Sequence, residues 1–139
     1  MQPIRTSTTE YSILEENMIL GKLFENAHVD LPEAKENFDA VMKLVNEKPY
    51  MAIFDARTTV TVTKEAMEFG AKPEQCRLLI AHAIIINSLP NRILGNFIIK
   101  FHKPSAPTKL FSNIEPARTW LKEKLREKEK YAGKKKTTR

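Results

Sequence analysis

The chain has 139 residues, a formal net charge of +6 and one cysteine, Cys76. That length suffices for one domain that buries its own core without metal or disulfide staples, and a lone cysteine forms no internal disulfide. The excess charge is local: nine basic and three acidic residues fall at 122–139, leaving 14 of each sign over 1–121, so the basic balance does not imply a nucleic-acid groove on the folded body.

Residues 1–11 are polar and Thr-rich, without the apolar centre of a signal peptide, and no run approaches the roughly 18 apolar residues that span a bilayer. The expectation is a cytoplasmic protein. Cys76 reads as a small buried hydrophobe rather than a reactive thiol.

In chain order, Tyr11, Ile13 and then 18–24 read as two short strands, a hairpin turning at Glu15-Glu16-Asn17. Residues 32–46 place Ala34, Phe38, Val41 and Val45 on one helical stripe with Met42 beside them, and Pro32 suits the first turn. Lys48-Pro49 ends the helix. Residues 50–54 form a short apolar run closed by Asp55, the pattern of a buried strand. Thr and Val alternate over 58–63; 64–69 then reads as a short helix closed by Gly70, with another helical turn or two after Pro73. Residues 81–86, with three consecutive isoleucines, predict a central strand buried on both faces. Leu89, Ile93, Phe97 and Phe101 recur every four residues and predict an apolar helix from Ser88.

Residues 102–107 are a loop and 108–111 a last short strand. Ser112, Asn113 and Glu115 offer caps for a closing helix whose inner stripe is Ile114, Ala117, Leu121 and Leu125, with Trp120 at its flank. The stripe ends at Leu125. The chain therefore divides into a domain at 1–126 and a basic tail at 127–139 without structure. Strands alternating with helices predict an α/β fold with a mixed, largely parallel sheet of four or five strands and four or five helices, joined by right-handed crossovers.

The element order and three stretches resemble the STAS domain of anti-sigma factor antagonists, and more closely its SpoIIAA-like branch, the STAS/SEC14 proteins. The stretches are A-H-A-I-I-I-N-S-L-P-N-R-I-L-G-N-F (81–97), K-P-S-A-P-T-K-L-F (103–111) and E-P-A-R-T-W-L (115–121). With the upstream order, the resemblance covers about residues 10–125. It implies a non-enzymatic regulatory or protein-interaction domain, an anti-sigma-factor-antagonist-like module. The alternative it implies is a binding domain for a lipid or small anionic ligand, SEC14-like, with a pocket under the 89–101 helix. The sporulation antagonist carries Asp-Ser-Ser-Gly, phosphorylated on its second serine, before its second helix. That place falls here at 60–64, where no such motif stands; the resemblance carries over only hydroxyls, Thr61 and Thr63, as phospho-acceptor candidates.

The residues themselves offer little catalysis. His28, His82 and His102 have no metal-ligand or helical spacing, no two glycines pair into a phosphate loop, and Glu15-Glu16 reads as a solvated turn. His82, between two alanines, reads as a hydrogen-bonded core histidine. The expectation is no enzyme, no cofactor and no metal site. The corner after strand 81–86 brings Asn87 and Ser88 to a helix start with Asn91 and Arg92 one turn in, where an anion could meet unpaired N–H groups; the plainer reading, Ser88 as a cap and Arg92 facing water, is the stronger. Asp55 stands on the same rim, where open α/β sheets bind ligands, or forms a strand-end turn. Trp120, Phe97, Phe101 and Phe111 have core spacing. A protein partner is expected, a homodimer is compatible, and nucleic acid is not expected, since only the tail is basic.

Overall fold

The computed structural model of the chain describes residues 2–87 and 105–137, with backbone alone over 133–137. The strands are β1 (Ile4–Arg5), β2 (Thr9–Glu15), β3 (Met18–Leu23), β4 (Ala27–Val29), β5 (Tyr50–Asp55), β6 (Val60–Val62), β7 (Leu79–Ile85) and β8 (Thr108–Phe111). The helices are α1 (Leu31–Val45), α2 (Lys64–Ala71), α3 (Pro73–Cys76) and α4 (Ile114–Thr137). The helix expected over 88–101, with Phe97 and Phe101, lies outside the described residues.

The hairpin forms as its sequence predicts. Asn17 takes φ 63, a left-handed conformation that asparagine tolerates better than most residues, and the chain returns as β3 antiparallel to β2. α1 starts at Asp30, whose carboxylate accepts the Leu31 N–H at 2.8 Å while Glu33 accepts the Asp30 N–H at 2.9 Å, a reciprocal cap that satisfies two otherwise orphaned donors. The helix stops before Lys48-Pro49: Asn46 is left-handed, φ 54, and its N–H returns to the Lys43 carbonyl.

The sheet has six strands in the order β1-β2-β3-β5-β7-β8, against the four or five expected. β3, β5, β7 and β8 run parallel, and β1 and β2 add antiparallel pairings at one edge. The extra strand, β1, is two residues long and exists only because β2 offers it a partner. A separate two-stranded sheet pairs β4 with β6, Ala27 beside Val60 and Val29 beside Val62.

From β3 through β8 every step moves the same way across the sheet, so right-handed crossovers set α1 on one face, where Val41 and Leu44 pack on Tyr11, Ile19, Tyr50 and Ala52. α4 covers the other face, with Ala117 and Leu121 against Met18, Met51, Ile53 and Ile85. Trp120 and Leu125 pack at the margin of that core, and the Trp120 and Phe111 rings meet at 5.7 Å.

Two expectations change. The backbone of 127–137 is helical, a continuation of α4, where an unstructured tail was expected; its described side chains are exposed, so the apolar stripe does end at Leu125 while the helix does not. Glu15 is no solvated turn residue. Arg118 Nη2 donates to it at 2.6 Å and Lys122 Nζ stands at 3.1 Å, which ties the hairpin to α4. Those two cations, Arg118 first, hold the Glu15 carboxyl below its ordinary pKa.

Candidate functional site

The two faces of the sheet are filled to different degrees. On the α4 side Met51, Ile53, Ala83 and Ile85 are at most 1% exposed. On the α1 side Phe54, His82 and Ile84 are only half-buried, so β7 is not buried equally on both faces. The surface they leave lines a cavity of about 350 Å³ between the sheet, α1 and α2. Its walls include Val41 and Phe38 from α1, Ala66 and Phe69 from α2, and Ala52 and Phe54 from β5. Interiors pack to the density of organic crystals and seldom keep voids larger than a water, and this volume falls in the range of ligand pockets. Two lining residues, Val62 and Gly70, are exposed and mark the mouth; a Cβ on Gly70 would meet nothing within 4 Å.

Polar residues stand among the apolar lining. Near β2, Thr9 and Asn37 belong to a closed network: Asn37 Nδ2 donates to Thr8 Oγ1 at 3.0 Å, Thr6 Oγ1 donates to Asn37 Oδ1 at 2.6 Å, and the Thr8 and Thr9 hydroxyls share a bond at 3.1 Å. Elsewhere, Gln75 Oε1 and His82 Nε2 are shut off from solvent with no hydrogen-bond partner. His82 is therefore not the hydrogen-bonded core histidine its sequence suggests. Its ring stands edge-on to Phe54 at 4.4 Å, and burial pushes its pKa down to about 4, so it is neutral at physiological pH.

The rim residues of the strand ends make a structural clasp. Asp55 is 7% exposed and accepts from Arg57 Nε at 2.9 Å and Nη2 at 2.8 Å, with the Arg57 backbone N–H at 3.2 Å. That guanidinium, foremost among the causes, holds the Asp55 carboxyl below its usual range. Asn87 Nδ2 donates to the Arg57 carbonyl at 2.8 Å. The structure thus brings Asp55 and Asn87 together through Arg57, whose role the sequence did not signal; Ser88, Asn91 and Arg92 lie outside the described residues.

The two threonines differ. Thr61 is exposed on β6 and its hydroxyl meets His28 Nδ1 at 2.7 Å. Thr63 caps α2, accepting the Ala66 N–H at 3.2 Å, and donates its own proton to Asp30 Oδ1 at 2.8 Å, thereby joining the starts of α1 and α2. The Leu31 N–H and then this hydroxyl hold the Asp30 carboxyl below its ordinary pKa. Cys76 is buried, its thiol directed to the Gly70 carbonyl at 3.3 Å and its pKa raised by burial, which makes it a poor nucleophile. Among the described residues no three His, Cys, Asp or Glu side chains gather as a metal site, and no helix is long and apolar enough to cross a membrane.

A family model described as "Domain of unknown function (DUF7793)" matches residues 12–125, from β2 to the end of the apolar stripe of α4. The chain belongs to the DUF7793 family. No curated protein matches it. Among solved structures it is similar to an uncharacterized protein of the DUF3478 family with a SpoIIAA-like fold from Shewanella loihica PV-4, at 14% identity and a TM-score of 0.54, over 86% of this chain and 90% of that one. The likeness is one of fold, mixed α/β and SpoIIAA-like.

In this DUF7793 chain the cavity draws on residues that carry no chemical signature in the sequence. Gln75 sits in a single helical turn, and β4 and β6 pair across more than thirty residues. The turn after Pro73 was legible in the sequence, whereas the pairing of β4 with β6 was not.

Proposed function

We propose that this domain is a non-catalytic, STAS/SEC14-like binding module that holds a small apolar molecule in the cavity between α1, α2 and the sheet. One observation carries the reading: a cavity of about 350 Å³ walled by apolar side chains, beneath which the opposite face of the same sheet is fully packed. Open space of that kind costs the fold dispersion contacts that a ligand restores. A cytoplasmic setting accompanies the proposal. The test is native mass spectrometry of the protein purified from its own cells. A bound mass lost on denaturation is expected; a folded protein of bare mass that also takes up no added apolar molecule would end the reading.

The regulatory reading keeps one support of its own. Val62, 40% exposed, and Thr61 stand on β6 at the mouth of the cavity, beside the start of α2. Phosphate on Thr61 would add about two negative charges beside His28 without disturbing a helix cap, so a partner docking there could sense both the modification and the ligand. Phosphate on Thr63 would instead face Asp30. Phosphoproteomics of the native cell tests this: the reading expects Thr61 among the modified sites and loses its support when only Thr63, or neither, is recovered.

A further inference from the structure

The second half of α4 carries charge that the domain itself does not use. Residues 126–139 hold seven basic and two acidic side chains, a net of +5, against an even balance over 1–121. Among the described residues Arg126, Lys128 and Lys130 are exposed and none of them enters an ion pair, whereas Lys124 meets Glu127 at 3.2 Å. Helical backbone runs to Thr137, about 18 Å beyond Leu125 at the usual rise per residue, and the sequence places three more lysines at 134–136.

An unstructured tail of this composition would adsorb to any polyanion. The helix gives the charge a direction. At about 100° per residue, side chains two residues apart leave a helix in nearly opposite directions and those four apart share a ridge. Lys124 and Lys128 therefore stand on one flank of α4, and Arg126 and Lys130 on the other. Cations on opposite flanks fit a partner with two anionic walls. A membrane surface is a plane that meets one flank at a time, and a helix lying in it buries an apolar stripe; past Leu125 the described side chains are exposed and the stripe has ended. The major groove of B-DNA, by contrast, is about 12 Å wide between its phosphate backbones and admits a helix of about that diameter. The major groove of A-form RNA is too narrow. We infer that the second half of α4 is a contact for duplex DNA: it seats in the major groove with Arg126 and Lys130 toward one phosphate wall and Lys128 toward the other. Such contacts position a protein without reading sequence. The inference is independent of the cavity.

The test is fluorescence anisotropy of the full chain with a labelled DNA duplex of about 20 base pairs and arbitrary sequence, titrated from about 50 to about 200 mM salt. Binding is expected, with log affinity falling against log salt at a slope of about −3 or steeper, about −0.9 from each of the three unpaired cations and the rest from the lysines beyond them. Arg126→Gln with Lys130→Gln should reduce that slope by about 2, and Lys128→Gln by about 1, each variant being checked for a cooperative melt. A duplex RNA of the same length should bind more weakly than the DNA at equal salt. No DNA binding at the lowest salt overturns the inference. A slope unchanged in either variant overturns the two-walled contact, as does RNA binding equal to that of DNA. Tighter binding to vesicles containing about one-third phosphatidylserine than to DNA, at equal salt, would overturn it by assigning the helix to a membrane surface.

Discussion

His82 is a histidine that the fold accepts only without its proton. In the unfolded chain it titrates near its ordinary value of 6.5, in the fold at about 4. Between those values the unfolded chain binds more protons, so stability is complete above pH 6.5 and declines as the pH falls toward 4, by roughly 3 kcal/mol in all. Asp55 and Asp30, whose pKa values are lowered, act in the opposite sense at lower pH: their contribution is present above the ordinary carboxylate range and is lost only under more acidic conditions. Urea unfolding at successive pH values should therefore show a slope between pH 6.5 and 4 in the parent that is absent from His82→Phe. A slope that survives the substitution would assign it to another group. Gly21 makes a second residue-scale case. It lies opposite Tyr11, and a Cβ there would stand 2.7 Å from Tyr11 Cε1 and 3.1 Å from Phe54 Cδ1. Gly21→Ala must push the buried Tyr11 ring aside and should cost about 1–3 kcal/mol; a melting temperature equal to the parent's would show that the ring has room. For the threonines, Thr63→Glu loses the α2 cap and sets a carboxylate against Asp30, a loss of about 1–2 kcal/mol, while the exposed Thr61→Glu should stay within about 0.5 kcal/mol of the parent. Chemical denaturation of the two variants separates these positions directly.

At the scale of elements, α4 does two jobs along its length. Its first part buries Ala117 and Leu121 completely and holds Glu15 through Arg118 and Lys122. Leu121→Ala should cost about 2–5 kcal/mol, enough to threaten a domain of this size. Past Leu125 its described side chains are exposed and the Lys124 to Glu127 pair at 3.2 Å is a surface contact, worth little. Removal of 127–139 should leave the melting temperature within a degree or two of the parent; a large loss would show that this segment packs against something, a second copy included. The stripe of Ala117, Leu121 and Leu125 was legible because helical periodicity survives in any context. Its continuation past 126 was not, because good helix formers such as Glu, Lys and Arg extend a helix without an apolar face to announce it. β5 was equally plain as a short apolar run closed by Asp55, and β8 as a short strand after a proline-containing loop. β1, β4 and β6 are two or three residues long and owe their existence to partners far away in sequence, which no local pattern encodes.

For the molecule as a whole, the order of strands and helices led to the right class of fold, and the likeness to a SpoIIAA-like structure accords with it. The site was far less legible. Sequence reasoning went to hydroxyls, carboxylates and an arginine, residues with recognisable chemistry, and the structure engages Asp55 in a clasp with Arg57 and Thr63 in a helix cap. Among the described residues the cavity is walled instead by α1, α2 and one sheet face, a property of packing distributed over many ordinary apolar residues. His82 was visible as an oddity in an apolar strand; that its Nε2 lacks a partner was not, because satisfaction of a buried atom depends on neighbours that only the fold supplies. The central claim, that this cavity accepts a ligand while the opposite face of the sheet does not, is tested most directly by methyl NMR of the folded protein titrated with 1-nonanol. The account predicts saturable shifts in the methyl signals of Val41, Ala66 and Met67, with those of Met51, Ile53 and Leu121 unmoved. Unmoved cavity methyls at saturating 1-nonanol, or shifts that appear first on the α4 side, would contradict it.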